Sequence, residues 1–376
     1  MILAQPSPPA PPAIEQPAPY QLSFGVVSGI AAPGTRRVIV RVGSRTLANR
    51  PLHGRHFQLQ VALPPSEVTL RIDTVDGAGR RRSTAVPHVI GAAKAAAPRL
   101  RPRRNDALLA RQLQQLVRAS SATTAIYVED LRTGAGAAWN ARAAFPAAST
   151  LKLAIAVTAL ARASGTPSYG STLAGLLRTM LTYSDNSAAN ATERYYAGST
   201  SAGSALVNAT MQSLGLVDTA MYGGYALDAV GGSPRELAGG IPLRVDSQPS
   251  WGRGKRTSAY DLASLMRAVW LASADLGPLR QAQPGFTAAD GRYLLYLLAH
   301  VRDPRKLDRE VGHLAGVRVL HKAGWISSAR HDNGIILWSG GAIVTTVMTF
   351  RSSGTGVRSD VLAGRVAAAA LRRFRG

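Results

Sequence analysis

One segment of the chain indicates its fold: Phe145-Pro146-Ala147-Ala148-Ser149-Thr150-Leu151-Lys152. It places a serine at the start of a predicted helix and a lysine one turn along the same helix face. A serine hydroxyl needs a neighbouring base to act as a nucleophile, and a lysine among apolar residues can lose its charge and serve. The helix N-terminus also favours negative charge developing beside Ser149. The segment predicts a nucleophile with its base; a capped helix with an unrelated lysine is the alternative.

A second polar segment, Tyr183-Ser184-Asp185-Asn186-Ser187, follows a helix predicted to end near Leu181. Ser184 supplies a hydroxyl that can relay a proton, and Asn186 supplies an amide that can bind a substrate amide. A polar helix cap is the alternative, because these residue types are also favoured there. The triplet is rare by chance, so its occurrence soon after Ser149 favours a shared site.

A third segment, Val319-Leu320-His321-Lys322-Ala323-Gly324-Trp325, ends a predicted strand. Lys322 can bind a carboxylate, and Gly324 lets a ligand approach the backbone closely. A lysine followed two residues later by glycine is common by chance. The significance of this segment comes from its order after the other two.

Together, Ser149-Thr-Leu-Lys152, Ser184-Asp185-Asn186 and Lys322-Ala-Gly324 resemble the S-x-x-K, S-D-N and K-T-G motifs of class A β-lactamases and penicillin-binding proteins. The resemblance covers about residues 105–376. Strands are predicted near both ends of this region and helices in its middle, which is typical of an α+β domain. We therefore expect a β-lactamase-like domain, in which both terminal segments form one antiparallel sheet flanked by a helical subdomain.

The resemblance implies that Ser149 forms an acyl-enzyme with a β-lactam or an acyl-D-alanyl peptide. Lys152 would activate the serine, and Ser184 would pass a proton to the leaving nitrogen. The backbone N–H groups of Ser149 and Trp325 would form the oxyanion hole. The substrate-binding residues implied by position are Asn186, Lys322, Gly324, Trp325 and Arg330.

The sequence departs from the family pattern at two places. Ala323 replaces a hydroxyl residue, which removes one hydrogen bond to the substrate carboxylate and typically costs about 1–3 kcal/mol; Arg330 is a candidate to compensate. The glutamate that hydrolyses the acyl-enzyme in class A lies in a Glu-x-x-Leu-Asn segment, and no such segment occurs between Asn190 and Thr257. Glu236 is the candidate deacylating base, and an ordinary helix-start carboxylate is the alternative.

The first hundred residues lie outside the resemblance. Residues 1–19 are rich in proline, which predicts a disordered tether. Residues 20–90 contain short segments of alternating apolar residues separated by glycine turns, which predicts a small all-β, Ig-like sandwich as an accessory domain. Small and basic residues over 91–104 predict a linker. The catalytic domain then spans 105–376.

The chain has 376 residues, a formal net charge of +23 and no cysteine. Such charge attracts polyanions, so an anionic cell-wall polymer is a candidate partner. Aromatic residues make up 6% and no nucleic-acid-binding motif is present, which argues against a specific nucleic-acid partner. The histidines show no metal-ligand spacing, and neither a metal nor a cofactor is expected. No apolar run approaches the roughly 18 residues of a membrane span.

Three functions remain open from the sequence. They are a β-lactamase that turns over, a D-alanyl-D-alanine peptidase or carboxypeptidase of the cell wall, and a catalytically degenerate cell-surface binding protein. The resemblance implies a secreted or wall-associated, extracytoplasmic protein, although no complete signal peptide is visible. We expect a monomer.

Overall fold

The computed structural model describes residues 10–163, 165–225, 241–252, 254–303 and 305–375. The chain forms two compact units, Met1–Lys94 and Ala95–Gly376. Their boundary lies inside the predicted linker, 91–104. The linker segment contains a short 3-10 helix, Lys94–Ala96. The last residue of the linker, Arg104, begins a two-residue strand of the second unit.

The N-terminal unit is built from strands. Those described are β1 (Ala13–Gln16), β2 (Gln21–Ser23), β3 (Val26–Ile30), β4 (Thr35–Val42), β5 (Arg45–Pro51), β6 (His56–Gln60), β7 (Glu67–Asp76) and β8 (Arg81–Gly91). They form a three-stranded sheet in the order β1-β3-β6 and a five-stranded sheet in the order β2-β8-β7-β4-β5.

Apolar side chains of both sheets share one core. Val27 and Phe57 of the first sheet are buried in the same cluster as Ile72 of the second, as expected for residues that alternate between a core face and a solvent face. The prediction of a disordered tether over 1–19 is wrong for residues 13–16, because they form β1 and pair with β3. Residues 13–16 contain no proline, so their backbone can join a sheet edge.

The second unit contains a six-stranded sheet in the order β14-β15-β16-β10-β11-β9. Its strands are β9 (Arg104–Asn105), β10 (Thr123–Asp130), β11 (Ala135–Trp139), β14 (Arg318–Ile326), β15 (Ala329–Trp338) and β16 (Gly341–Phe350). The two ends of the unit meet where β10 pairs antiparallel with β16, with Ile126 opposite Val347. β12 (Phe145–Pro146) and β13 (Arg256–Thr257) form a separate two-stranded ladder.

Six helices of this unit begin at a side chain that accepts hydrogen bonds from their free N–H groups: Asp106, Ser171, Asp185, Ser199, Ser258 and Thr287. The described helices of the unit are α1 (Ala107–Arg118), α2 (Lys152–Arg162), α3 (Thr172–Thr182), α4 (Asn186–Ala197), α5 (Thr200–Ser213), α6 (Ala259–Ala272), α7 (Pro278–Ala282), α8 (Ala288–Leu298) and α9 (Val357–Arg375). Within the described ranges, no helix is both long and apolar enough to span a membrane.

Helices cover both faces of the six-stranded sheet. α1 and α9 bury Leu113 and Val366 against Ile126 on one face. Odd and even positions of a strand point to opposite faces, so Glu129 lies on the opposite face of β10 from Ile126. There, Arg267 of α6 donates to the Glu129 carboxylate at 2.8 Å. Helices α2 to α5 form the helical part of the domain. The predicted α+β architecture is therefore confirmed. The prediction of a wholly antiparallel sheet is wrong at one edge, because β9 pairs parallel with β11.

Candidate active site

The site is centred on Ser149, which lies in a 3-10 helix, Ala148–Leu151, that continues directly into α2. Because the helical turn places residues three apart on one side, Lys152 Nζ lies 3.0 Å from Ser149 Oγ. Lys152 is buried, as are the apolar residues that follow it in α2, whereas Ser149 is partly exposed. The serine is therefore reachable from solvent while its neighbouring amine is enclosed.

The second segment reaches the same amine from the junction of α3 and α4. Ser184 adopts φ +57°, a left-handed conformation that is uncommon for a residue with a side chain. Lys152 Nζ donates to the Ser184 backbone carbonyl and to Asn186 Oδ1 (2.7 Å). Asp185 points away to cap α4, accepting from Ala188 N (2.6 Å).

These partners determine what the Lys152 amine can do. An uncharged amine has two N–H donors and one lone pair. The Ser184 carbonyl and Asn186 Oδ1 are both acceptors without a proton, so they take the two donors. The lone pair is then free to accept the hydroxyl proton of Ser149. The geometry suits a neutral lysine acting as a general base.

The third segment lies on β14, which is an edge strand of the six-stranded sheet. Lys322 is buried, and its Nζ donates to Ser184 Oγ (2.9 Å) and to the Ala323 carbonyl (2.6 Å). Lys152 Nζ lies 3.5 Å from the same Ser184 Oγ. The Ser184 hydroxyl therefore sits between two lysine amines.

Gly324 brings the edge strand against the backbone of Ser149. A Cβ at this position would lie 2.7 Å from the backbone nitrogens of both Ser149 and Thr150. A real side chain cannot approach backbone this closely, so glycine is required sterically. Trp325 is the next residue of β14, so its backbone lies near Ser149 as well.

Burial shifts the pKa of both site lysines downward. Desolvation, followed by the charge of Lys322, lowers the pKa of Lys152 to about 7, with Asp185 opposing the shift. Desolvation also lowers the pKa of Lys322 to about 8, and Asp303 and Asp332 oppose it. At neutral pH, Lys152 therefore has a substantial uncharged fraction while Lys322 remains mostly charged.

Two predicted substrate-binding residues lie on the β14–β15 hairpin. The Trp325 side chain is 59% exposed, and the Arg330 guanidinium lies 5.7 Å from its ring centre. Arg330 Nη1 also donates to Asp360 Oδ2 of α9 (2.6 Å). The Arg330 charge is thus already paired with a carboxylate. Ala323, which lacks the family hydroxyl, is fully buried.

The candidate deacylating base, Glu236, lies outside the described residues. Among the residues that are described, no aspartate or glutamate side chain hydrogen-bonds to Ser149 or Lys152; the polar neighbours of Lys152 are Ser149, Ser184 and Asn186. Within the described residues, Ser149 and Lys152 therefore meet without a hydrogen bond from either to a carboxylate.

Sequence reasoning missed a histidine that supports the segment carrying Ser149. His331 Nε2 donates to the Pro146 carbonyl (2.7 Å), and the Thr349 N–H donates to its Nδ1 (3.3 Å). Burial lowers the pKa of His331 to about 4, so the ring stays neutral and keeps this pattern. His331 thereby ties β15 to the segment three residues before Ser149. No sequence pattern identified this role.

Sequence reasoning also missed Tyr225, whose ring centre lies 4.7 Å from Lys152 Nζ. It follows α5 in a turn, far from the three segments in sequence. A single tyrosine in a loop carries no recognisable signal, and its proximity to Lys152 is established by the fold.

The fold and this arrangement of two serines and two lysines define a class, the serine penicillin-recognising proteins. The model of the Beta-lactamase enzyme family matches residues 108–166 and 162–374. The chain therefore belongs to the β-lactamase enzyme family. A search of curated protein sequences found no match.

Solved structures share this fold. PBP-A is 22% identical with a TM-score of 0.54, over 73% of this chain and 98% of PBP-A. A β-lactamase from Streptosporangium roseum is 18% identical with a TM-score of 0.56, over 72% and 99% of the two chains. An ancestral class A β-lactamase is 21% identical with a TM-score of 0.55, over 71% and 100%.

Proposed function

We propose that this protein is a class A-like serine acyl-transfer enzyme in which Ser149 forms an acyl-enzyme with β-lactams. One observation carries the proposal: the Lys152 amine lies 3.0 Å from Ser149 Oγ while its other hydrogen bonds go to acceptors. Such an amine can take the serine proton as Oγ attacks the lactam carbonyl.

The surrounding groups account for the remaining steps. Attack transfers the Ser149 proton to Lys152, and the C–N bond of the lactam then breaks. Ser184 Oγ lies within reach of both lysine amines, so it is placed to deliver a proton to the leaving nitrogen. Lys322 would attract the substrate carboxylate, and Asn186 would bind its side-chain amide.

The oxyanion hole would be formed by the N–H groups of Ser149 and Trp325. The close approach of Gly324 to the backbone of Ser149 supports this assignment, because it brings the edge strand beside the nucleophile. Backbone donors fixed in this way favour the charge that appears on the carbonyl oxygen in the transition state.

Treatment of the full chain with a labelled penicillin tests the acylation step. We expect one label per chain on the peptide that contains Ser149, located by mass spectrometry. Ser149→Ala should abolish labelling, whereas Ser201→Ala, at an exposed serine on α5, should label normally. Full labelling of Ser149→Ala would reject Ser149 as the nucleophile.

Glu236 remains our proposed deacylating base, and turnover of a chromogenic cephalosporin tests it. If Glu236 activates the hydrolytic water, Glu236→Gln should slow release of the acyl group by about 10²–10⁴-fold, the usual contribution of a general base, while acylation stays normal. An unchanged release rate would exclude this role.

A second candidate is a penicillin-binding peptidase that releases β-lactams slowly. It is favoured by the absence of a described carboxylate bonded to Ser149 or Lys152. A structure of a PBP-A variant is an acyl-enzyme complex with penicillin G, which gives a precedent in a protein of the same fold. A long-lived adduct in the native chain, with release of D-alanine from a D-alanyl-D-alanine peptide, would support it.

We further propose that the N-terminal unit is an Ig-like accessory module of an extracytoplasmic enzyme. Its two sheets share one core, and the net charge of +23 suits an anionic wall polymer as partner. Co-sedimentation of the full chain with purified cell wall should therefore weaken as salt is raised. Salt-independent sedimentation, or none, would argue against this partner.

A further inference from the structure

Tyr225 is held rigidly beside the nucleophile by the α4 side chain Asn190. Asn190 Oδ1 accepts from Tyr225 N (2.6 Å), and Asn190 Nδ2 donates to the Tyr225 carbonyl (3.1 Å). A Cβ at the preceding residue, Gly224, would lie 2.8 Å from Asn190 Oδ1, so glycine permits this close approach. The Tyr225 side chain is buried. Its position is therefore fixed at the backbone as well as by packing.

The phenol hydroxyl contacts the turn that presents Ser149. Tyr225 Oη donates to the carbonyl of Ala148 (3.1 Å), the residue immediately before the nucleophile. Ala148 has φ +47°, a left-handed conformation that costs energy for a residue with a side chain. A buried donor on its carbonyl stabilises this conformation and hence the direction of Ser149. Burial raises the pKa of Tyr225, so the hydroxyl keeps its proton and remains a donor.

The ring of the same side chain contacts the general base. Lys152 Nζ lies 4.7 Å from the ring centre, and Lys255 Nζ lies 5.2 Å from it. The negative face of an aromatic ring attracts an ammonium group within about 6 Å. Lys255 is anchored separately, because its Nζ donates to the Gly224 carbonyl (2.8 Å).

From these contacts we propose that Tyr225 is a positioning residue for acylation, whose hydroxyl fixes the turn before Ser149 and whose ring holds the Lys152 amine beside it. The inference rests on the proposed function of Ser149. It assigns Tyr225 two separable effects, one made through the hydroxyl and one through the ring.

The ring effect acts among several charges near Lys152. Lys322 faces the amine from β14 and Asp185 from the start of α4; the first opposes a charge on Lys152 and the second favours it. Lys255 lies at the ring, and Glu193 of α4 interacts with both Lys255 and Tyr225. Variants at position 225 leave all four groups in place, so a change in Lys152 titration reports on the ring.

Lysine-selective NMR measures this effect directly, because the chain has five lysines, at 94, 152, 255, 306 and 322. Lys152→Arg identifies the Lys152 signal. Tyr225→Leu keeps the site apolar but removes the ring, so the titration midpoint of Lys152 should fall by about 0.5 unit or more. Tyr225→Phe keeps the ring and should leave the midpoint unchanged.

Acylation kinetics with labelled penicillin measure the hydroxyl effect. Tyr225→Phe should lower the acylation rate about 2- to 10-fold at every pH, the usual range for one hydrogen bond. Tyr195→Phe, at an exposed tyrosine on α4, is the matched control and should acylate normally. If Tyr225→Leu does not fold, phenylalanine and ring-fluorinated phenylalanine at 225 can be compared instead. Fluorination weakens the negative charge of the ring face with little change in the shape of the ring.

The outcomes separate this inference from the proposed function. No adduct in the native chain would reject the acylation proposal, and the Lys152 titration would still test the ring. Normal acylation by Tyr225→Phe, together with an unshifted Lys152 midpoint when the ring is removed or fluorinated, would overturn the role of Tyr225.

Discussion

Lys152 and Lys322 occupy similar surroundings but suit opposite tasks. Both amines are buried, both contact Ser184 Oγ, and desolvation lowers the pKa of both. They differ in the charges around them. Lys322 is near the carboxylates of Asp303 and Asp332, whereas the largest charge effect on Lys152 is the like charge of Lys322.

This difference shows how neighbouring charges give two buried lysines of one site different pKa values. Burial alone would make both lysines poor cations. The carboxylates of Asp303 and Asp332 raise the pKa of Lys322 and favour its charged form, whereas the charge of Lys322 lowers the pKa of Lys152. The proposed role of Lys152 as a base requires this lowering of its pKa.

After the loss of Ser149 itself, the largest expected effect on acylation is that of removing the proposed base, Lys152. Lys152→Ala should lower the acylation rate about 10²–10⁴-fold, because Ser149 loses its proton acceptor. Stopped-flow or quenched labelling with penicillin measures this rate. Lys94→Ala, at an exposed lysine, serves as the control for loss of a lysine, and comparable rates in the two variants would contradict the assignment.

Removing the second amine should have a smaller effect of a different kind. Lys322→Ala should reduce acylation efficiency about 10- to 100-fold for a β-lactam with a carboxylate, since a hydrogen bond to a charged group is worth about 1.5–3 kcal/mol. A β-lactam whose carboxylate is esterified should lose much less. Equal losses for the acid and the ester would show that Lys322 does not recognise the carboxylate.

The pH dependence of the acylation rate should show the titration of both Lys152 and Lys322. Acylation should rise as pH passes about 7, where Lys152 loses its proton, and fall above about 8, where Lys322 loses its charge. Below this window the rate should fall about tenfold per pH unit, as for a single proton, whereas above it the total loss should not exceed the roughly 10- to 100-fold expected for Lys322→Ala. Lys322→Arg keeps the charge at high pH, so it should remove the alkaline fall and retain the acid limb.

The smallest effect is expected at Arg330. Its guanidinium is already paired with Asp360, so Arg330→Ala should lower acylation efficiency by at most about fivefold, consistent with the roughly 0–1 kcal/mol of a partly exposed ion pair. A loss as large as that of Lys322→Ala would show that Arg330 contributes to substrate binding as much as Lys322 does, despite its pairing with Asp360.

The sequence by itself determined the features that depend on residues close together in the chain. Alternating apolar residues predicted strands within residues 20–90, and motif order placed Ser149, Lys152, Ser184 and Lys322 in one site. A serine and a lysine one helical turn apart are neighbours in any helix, so their contact follows from spacing alone. The end of the proline-rich segment was misjudged because pairing of β1 with β3 is a contact between distant residues.

The tertiary structure alone decided which distant groups support the site. Tyr225 and His331 reach the Ser149 segment through a loop and a strand that no motif connects to it. The pairing of Arg330 with Asp360, and the carboxylates behind Lys322, likewise depend on how helices pack on the sheet. Desolvation and charge depend on distances in space, and those distances exist only once the chain has folded.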